Sequence, residues 1–154
     1  MTERPNILWY CTDQQRFDTI QALGNRYIRT PNIDRMVDGG VAFKQAYAQS
    51  PICTPSRASF LTGRYPATTH VHRNGNNHFP NNEVLVTKLL ADAGYDCGLI
   101  GKLHLASAAS GREKRTNDGY RLFQWSHHPM PGLDPEFNAY HRWLRDEKKV
   151  DPQE

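Results

Sequence analysis

Asn6-Ile7-Leu8-Trp9-Tyr10-Cys11-Thr12-Asp13-Gln14 opens the chain with an unbroken apolar run, residues 7–11, that stops on polar side chains. A short continuous run of β-branched, aliphatic and aromatic residues suits a strand buried on both faces, as in a parallel sheet. Polar groups just past the carboxyl end of such a strand lie where open α/β sheets hold ligands. Outward from there, Thr30-Pro31 predicts a helix start, with Thr as the N-cap and Pro at the first helical position. Ile33, Met36 and Val37 line one face of that helix, and Gly39-Gly40 stops it. Residues 41–48 predict a second strand. Thr54-Pro55 repeats the helix start and Gly63 ends a short helix. The stretch 65–82, rich in Asn, His, Pro and Gly, reads as an irregular loop. Residues 83–93 form a predicted helix with Val84, Leu85, Leu89 and Leu90 as its apolar positions, and residues 95–100 a further strand. Beyond these, 107–118 is polar loop, 120–125 a strand, and Asp134-Pro135 the start of a last helix bearing Phe137, Tyr140 and Leu144. Strands alternating with helices at this spacing predict an α/β fold, a doubly wound and mostly parallel sheet flanked by helices.

The chain has 154 residues, 38% hydrophobic and 23% charged, with 11 Gly and 10 Pro. That is a loop-rich globular composition with material for one domain. A net charge of +3, with basic residues scattered, argues against a nucleic-acid partner. No apolar stretch approaches the roughly 18 residues that cross a bilayer, so no membrane partner is expected. The N-terminus carries neither a basic n-region nor a long apolar stretch, which predicts a cytoplasmic location. Cys11, Cys53 and Cys97 are an odd number at wide spacing, which makes neither a disulfide framework nor a zinc knuckle.

Three polar clusters follow predicted strands or open a helix. Asp13 offers a carboxylate and Gln14 an amide oxygen, hard donors suited to Ca²⁺ or Mg²⁺; the alternative is that Asp13 caps a turn. Cys53 stands at a helix N-terminus, where free N–H groups and the helix dipole favour an anion, with Arg57 one turn on. The alternative for Cys53 is a small buried hydrophobe. Lys102 and His104 alternate along an extended segment and can face one side, joining Arg57 around a tetrahedral oxyanion. Taken alone, a solvated lysine and a structural histidine are the commoner case.

The run Ser50-Pro51-Ile52-Cys53-Thr54-Pro55-Ser56-Arg57-Ala58-Ser59-Phe60-Leu61-Thr62-Gly63-Arg64 closely resembles the signature of the sulfatase family, C-x-P-S-R followed by L-T-G-R. Gly94-Tyr95, continuing to Gly101-Lys102-Leu103-His104, resembles the family's second signature, and Asn6-Ile7-Leu8 through Asp13 its first strand and metal-binding end. The resemblance implies an alkaline-phosphatase-like α/β fold, incomplete in this chain, with residues 1–154 as the N-terminal part of the catalytic domain. It implies a sulfuric ester hydrolase in which a formylglycine-generating maturation enzyme oxidises Cys53 to formylglycine. One hydroxyl of the hydrated aldehyde then attacks the sulfur of a sulfate ester as the ester bond breaks and the alcohol leaves, and the second hydroxyl collapses to the aldehyde and expels sulfate. Asp13, Gln14 and the converted Cys53 are the implied ligands of Ca²⁺ (or Mg²⁺ or Mn²⁺). Arg57 is implied to hold the formylglycine, and Lys102 and His104 to contact the sulfate oxygens. The expected substrate is a small-molecule or carbohydrate sulfate ester. Gln14 stands where many members carry a second aspartate, and related phosphonate and phosphate monoester hydrolases share such a start, which keeps that activity as an alternative. A third reading, from another class, is a non-catalytic oxyanion-binding module.

Overall fold

The computed structural model describes residues 4–128 and 136–151. The chain divides into two compact units, Met1–Tyr47 and Ala48–Glu154.

In the first unit, two 3₁₀ turns (Phe17–Thr19 and Gln21–Leu23) lead to α1, Pro31–Gly39. Pro31 opens the helix as predicted. The Thr30 hydroxyl, however, takes the N–H of Gln21 at 2.9 Å and donates to Asp34 Oδ1 at 2.8 Å, so it ties the helix to the preceding turn and does not cap its own N–H groups. Residues 7–11 and 41–48 are not strands. Leu8 is 88% exposed, and none of the apolar residues from Ile7 to Tyr10 is buried. A strand of that composition exists only where neighbouring strands fill its N–H and C=O groups and layers cover both faces. The first unit supplies neither.

The second unit holds the core. α2 spans Cys53–Thr62, α3 Pro66–Thr69, α4 Val86–Asp92 and α5 Ala139–Trp143, with a short π-helical turn, Leu144–Lys148, after the last. β1 (Gly98–Gly101) and β2 (Leu122–Trp125) pair in parallel, Gly98 opposite Leu122 and Gly101 opposite Trp125. This two-stranded parallel sheet with flanking helices is the part of the expected α/β architecture present among the described residues. Gly98 packs against the Leu122 side chain, whose Cβ would lie 3.4 Å from a Cβ placed at Gly98, an ordinary contact distance.

Ala58 and Leu61 of α2, Val71 and Phe79 of the following segment, Leu85, Leu103, Leu105, Ala108 and Trp125 form one buried cluster. Stretch 65–82 is therefore more than a loop: it carries α3 and puts Val71 and Phe79 into the core. The helix expected over 83–93 starts later, at Val86, after Leu85 in extended conformation (φ −83, ψ 146); Glu83, before that start, is paired instead with Arg64 Nη1 at 2.9 and 3.0 Å. At its first turn the helix is approached closely by Gly119 (φ 79), where a Cβ would meet Lys88 Cα and Thr87 O at 2.6 Å. The predicted start at Asp134-Pro135 lies outside the described residues. α5 itself is capped by Asn138, fully buried, whose Oδ1 accepts the N–H groups of Tyr140 and His141 at 3.1 and 3.2 Å. Its inward residue is His141, while Phe137 and Tyr140, expected on the buried face, are about half exposed.

Candidate active site

α2 begins at Cys53, with extended Ile52 (φ −114) as its N-cap, two positions earlier than a Thr54 cap would place it. The reason is non-local. The N–H of buried Thr54 is taken by Asn74 Oδ1 at 2.9 Å, so the capping oxygen comes from the Asn- and His-rich segment twenty residues on. The same segment also reaches the turn after β1, where Ser107 N–H donates to the Asn76 carbonyl at 2.7 Å. Cys53 is half-buried and in no disulfide.

Beyond the carboxyl end of β1, Lys102 sends Nζ to 3.4 Å from Cys53 Sγ. Arg57, 7% exposed on the first turns of α2, donates from Nη1 to the Lys102 carbonyl at 2.6 Å. One guanidinium thus fixes the turn that carries Lys102 and brings a second cation to the thiol. His104, two residues further, is 5% exposed with its backbone left-handed at φ 55. Its ring lies 4.6 Å, centroid to centroid, from His127 and 6.1 Å from His128, just past the end of β2. Burial, then the positive neighbours His127, Lys102, His128 and Arg57, push His104 down to about 3. His127 is pushed down to about 4, again by burial first and His128 next. Both rings are therefore neutral near pH 7, and the standing positive charge of the site is that of Arg57 and Lys102. His104 Nδ1, His127 Nε2 and Thr54 Oγ1 are buried without a hydrogen-bond partner. Three polar atoms held dry in one neighbourhood have hydrogen-bonding capacity to offer an incoming oxyanion.

The second unit thus brings Cys53, Arg57, Lys102 and His104 into one neighbourhood. Asp13 and Gln14 lie exposed in the first unit, Gln14 with left-handed backbone at φ 57. Among the described residues, no group of three or more His, Cys, Asp or Glu is gathered as a metal site. The donor chemistry of Asp13 and Gln14, a carboxylate and an amide oxygen, still fits a hard divalent cation.

Sequence reasoning missed Glu113, and it reached Asn74, His127 and His128 only as members of longer stretches, the Asn- and His-rich loop and the segment from Asp118 to His128, as candidate lining of a substrate pocket. The two histidines were findable: they follow a predicted strand, the same rule that selected Lys102. Asn74 was signalled only by the composition of its loop, and Glu113 left no local signal, because each serves backbone N–H groups distant in sequence.

The sulfatase family profile matches residues 5–142. The chain is 39% identical over 137 residues to steryl-sulfatase of Homo sapiens, covering 82% of this chain and 22% of that protein. Among solved structures, BT4656 in complex with its substrate D-glucosamine-2-N,6-O-disulfate superposes with a TM-score of 0.70 at 32% identity, over 85% of this chain and 24% of that one. The phosphonate monoester hydrolase of Agrobacterium radiobacter superposes with a TM-score of 0.72 at 26% identity, over 97% of this chain and 30% of that one. The chain therefore spans about a quarter of the length of these relatives. Its profile match, its identity to steryl-sulfatase and its superposition on solved members agree with the Cys53–Arg57 and Lys102–His104 clusters: the chain belongs to the sulfatase family.

Proposed function

We propose that the protein bearing this chain is a sulfuric ester hydrolase acting on sulfated carbohydrate or other small sulfate monoesters, with this chain as the N-terminal part of its catalytic domain. The observation that carries the proposal is Cys53 at the first turn of α2 with Lys102 Nζ 3.4 Å from its sulfur and Arg57 bound to the Lys102 carbonyl. Family membership supports conversion of Cys53 to formylglycine by a maturation enzyme. The substrate class is supported by the sugar disulfate held by BT4656.

The chain's own residues supply position and charge. The side chain at position 53 leaves the first turn of α2, where the helix dipole favours negative charge. Lys102 and Arg57 place two cations around it, so a sulfate drawn in meets positive charge before its ester bond breaks. His104, neutral near pH 7, offers a directed hydrogen bond to a sulfate or bridging oxygen without adding charge. Asp13 and Gln14 carry the hard oxygen donors that would hold Ca²⁺ or another hard divalent cation. Bound there, the cation would supply Lewis-acid stabilisation of developing negative charge.

Peptide mass on protein co-expressed with a formylglycine-generating enzyme tests the nucleophile. The peptide carrying Cys53 is expected to be about 18 Da lighter, the difference between CH₂SH and CHO. A thiol that persists while a control substrate converts removes the assignment and favours an oxyanion-binding module. Comparing aryl sulfate with aryl phosphonate turnover tests the substrate. The second reading, a phosphonate monoester hydrolase, is favoured by one observation, the superposition on the Agrobacterium enzyme over 97% of the chain. A phosphonate preference would establish it.

A further inference from the structure

Glu113 is a buried carboxylate that the reading above leaves unused. It is 7% exposed, and burial pushes its pKa up in spite of four hydrogen bonds that pull the other way. Carboxylates are seldom buried without a task or a compensating partner. Its partners here are all N–H groups. Oε2 accepts from His104 N at 2.7 Å and from the Trp125 indole at 3.1 Å; Oε1 accepts from the backbone N–H groups of Leu105 and Ala106. Three consecutive backbone N–H groups converging on one anion form a cradle, and the side chain nine residues on fills it.

The cradle has a backbone consequence. His104 is left-handed at φ 55, a conformation that costs a non-glycine residue about 1–2 kcal/mol and persists only where its surroundings impose it. Arg57 grips this turn at the Lys102 carbonyl, and Glu113 grips it at the N–H groups of residues 104–106. Trp125, whose indole shares the same carboxylate oxygen, ends β2 just before His127. One carboxylate therefore joins the two segments whose histidine rings face each other at 4.6 Å.

We propose that Glu113 is a positioning residue for His104: by closing the turn of residues 104–106 onto the end of β2, it holds the imidazole against His127, two residues from Lys102 and its contact with Cys53. The inference rests on the reading of His104 as a substrate contact. It adds a charged group outside the reacting centre on which that contact depends.

The test uses Glu113→Gln and Glu113→Asp in the full protein, with Leu61→Ala as a core variant that loosens packing away from the turn. Nuclear Overhauser contact between the His104 and His127 rings reads the geometry without turnover, and amide protection of Ala58 and Leu105 separates a folded variant from an unfolded one. In Glu113→Gln the expected result is loss of the ring contact, loss of Leu105 protection and retention of Ala58 protection. In matured enzyme, kcat is expected to fall about 10–100-fold with KM changed less than about 3-fold, the usual scale for a residue that orients another. Leu61→Ala is expected to keep the ring contact and kcat. If Glu113→Gln unfolds the chain, Glu113→Asp decides: its charge is intact but one methylene short, so a weakened ring contact and an intermediate kcat are expected. A folded variant with wild-type ring contact and kcat overturns the proposal. A wild-type protein that shows the ring contact but turns over no sulfate ester fails the sulfatase reading instead, and the ring contact in the variants still judges Glu113.

Discussion

Acidification is expected to destabilise this protein through two histidines, well before its carboxylates matter. The folded state holds His104 near 3 and His127 near 4, against an ordinary value of 6.5. As pH falls through 6.5, the unfolded chain takes up both protons while the folded chain refuses them, so stability present above about pH 6.5 is lost toward pH 3–4. From pH 8 to pH 5, each ring contributes a loss of about 2 kcal/mol by linkage. Solvent screening through exposed His128 beside them lowers the pair to about 2 kcal/mol in total. Glu113 works in the opposite sense: its raised pKa lets the folded state accept a proton before the unfolded one. The comparison must therefore be between variants. Urea unfolding followed by the fluorescence of buried Trp125 and its fellow tryptophans, at pH 8 and pH 5, gives the slope for the native chain and for His127→Asn. The variant is expected to lose about 1 kcal/mol less than the native chain over this interval. Histidine ring titration by nuclear magnetic resonance checks the same origin directly. Midpoints near 6.5 for both rings, or equal slopes in the two proteins, would refute the reasoning.

Gly119→Ala drives a Cβ to 2.6 Å from Lys88 Cα at a positive φ, and is expected to cost about 2–5 kcal/mol by chemical denaturation. Leu85→Ala empties a fully buried site in the core and is expected to cost about 2–5 kcal/mol in the same assay. Arg57→Met leaves the Lys102 carbonyl unserved and removes a cation, so sulfate ester turnover by the matured full-length protein is expected to fall at least about 100-fold. A chelator is expected to abolish that turnover and added Ca²⁺ to restore it, with Asp13→Asn needing a higher Ca²⁺ concentration for half-restoration.

Residue type and spacing, read along the chain, located Cys53, Arg57, Lys102 and His104, the starts of α1 and α2 to within a residue or two, and strand segments within 95–100 and 120–125. Those features are local. Helix starts follow from backbone groups left unpaired within one turn, and motif residues are read from their spacing alone. What needed the folded chain is non-local. Apolar composition over residues 7–11 signals a strand, but a strand forms only against partners that complete its hydrogen bonds. The oxygen that serves the start of α2 is on Asn74, and the anion that closes the turn around His104 is on Glu113. Charge state is the furthest from sequence: His104 is an ordinary titrating imidazole in the unfolded chain. Burial beside His127, Lys102, His128 and Arg57 makes it a neutral group in the site. Desolvation and the field of neighbouring charges depend on distances between side chains, and only packing sets those distances.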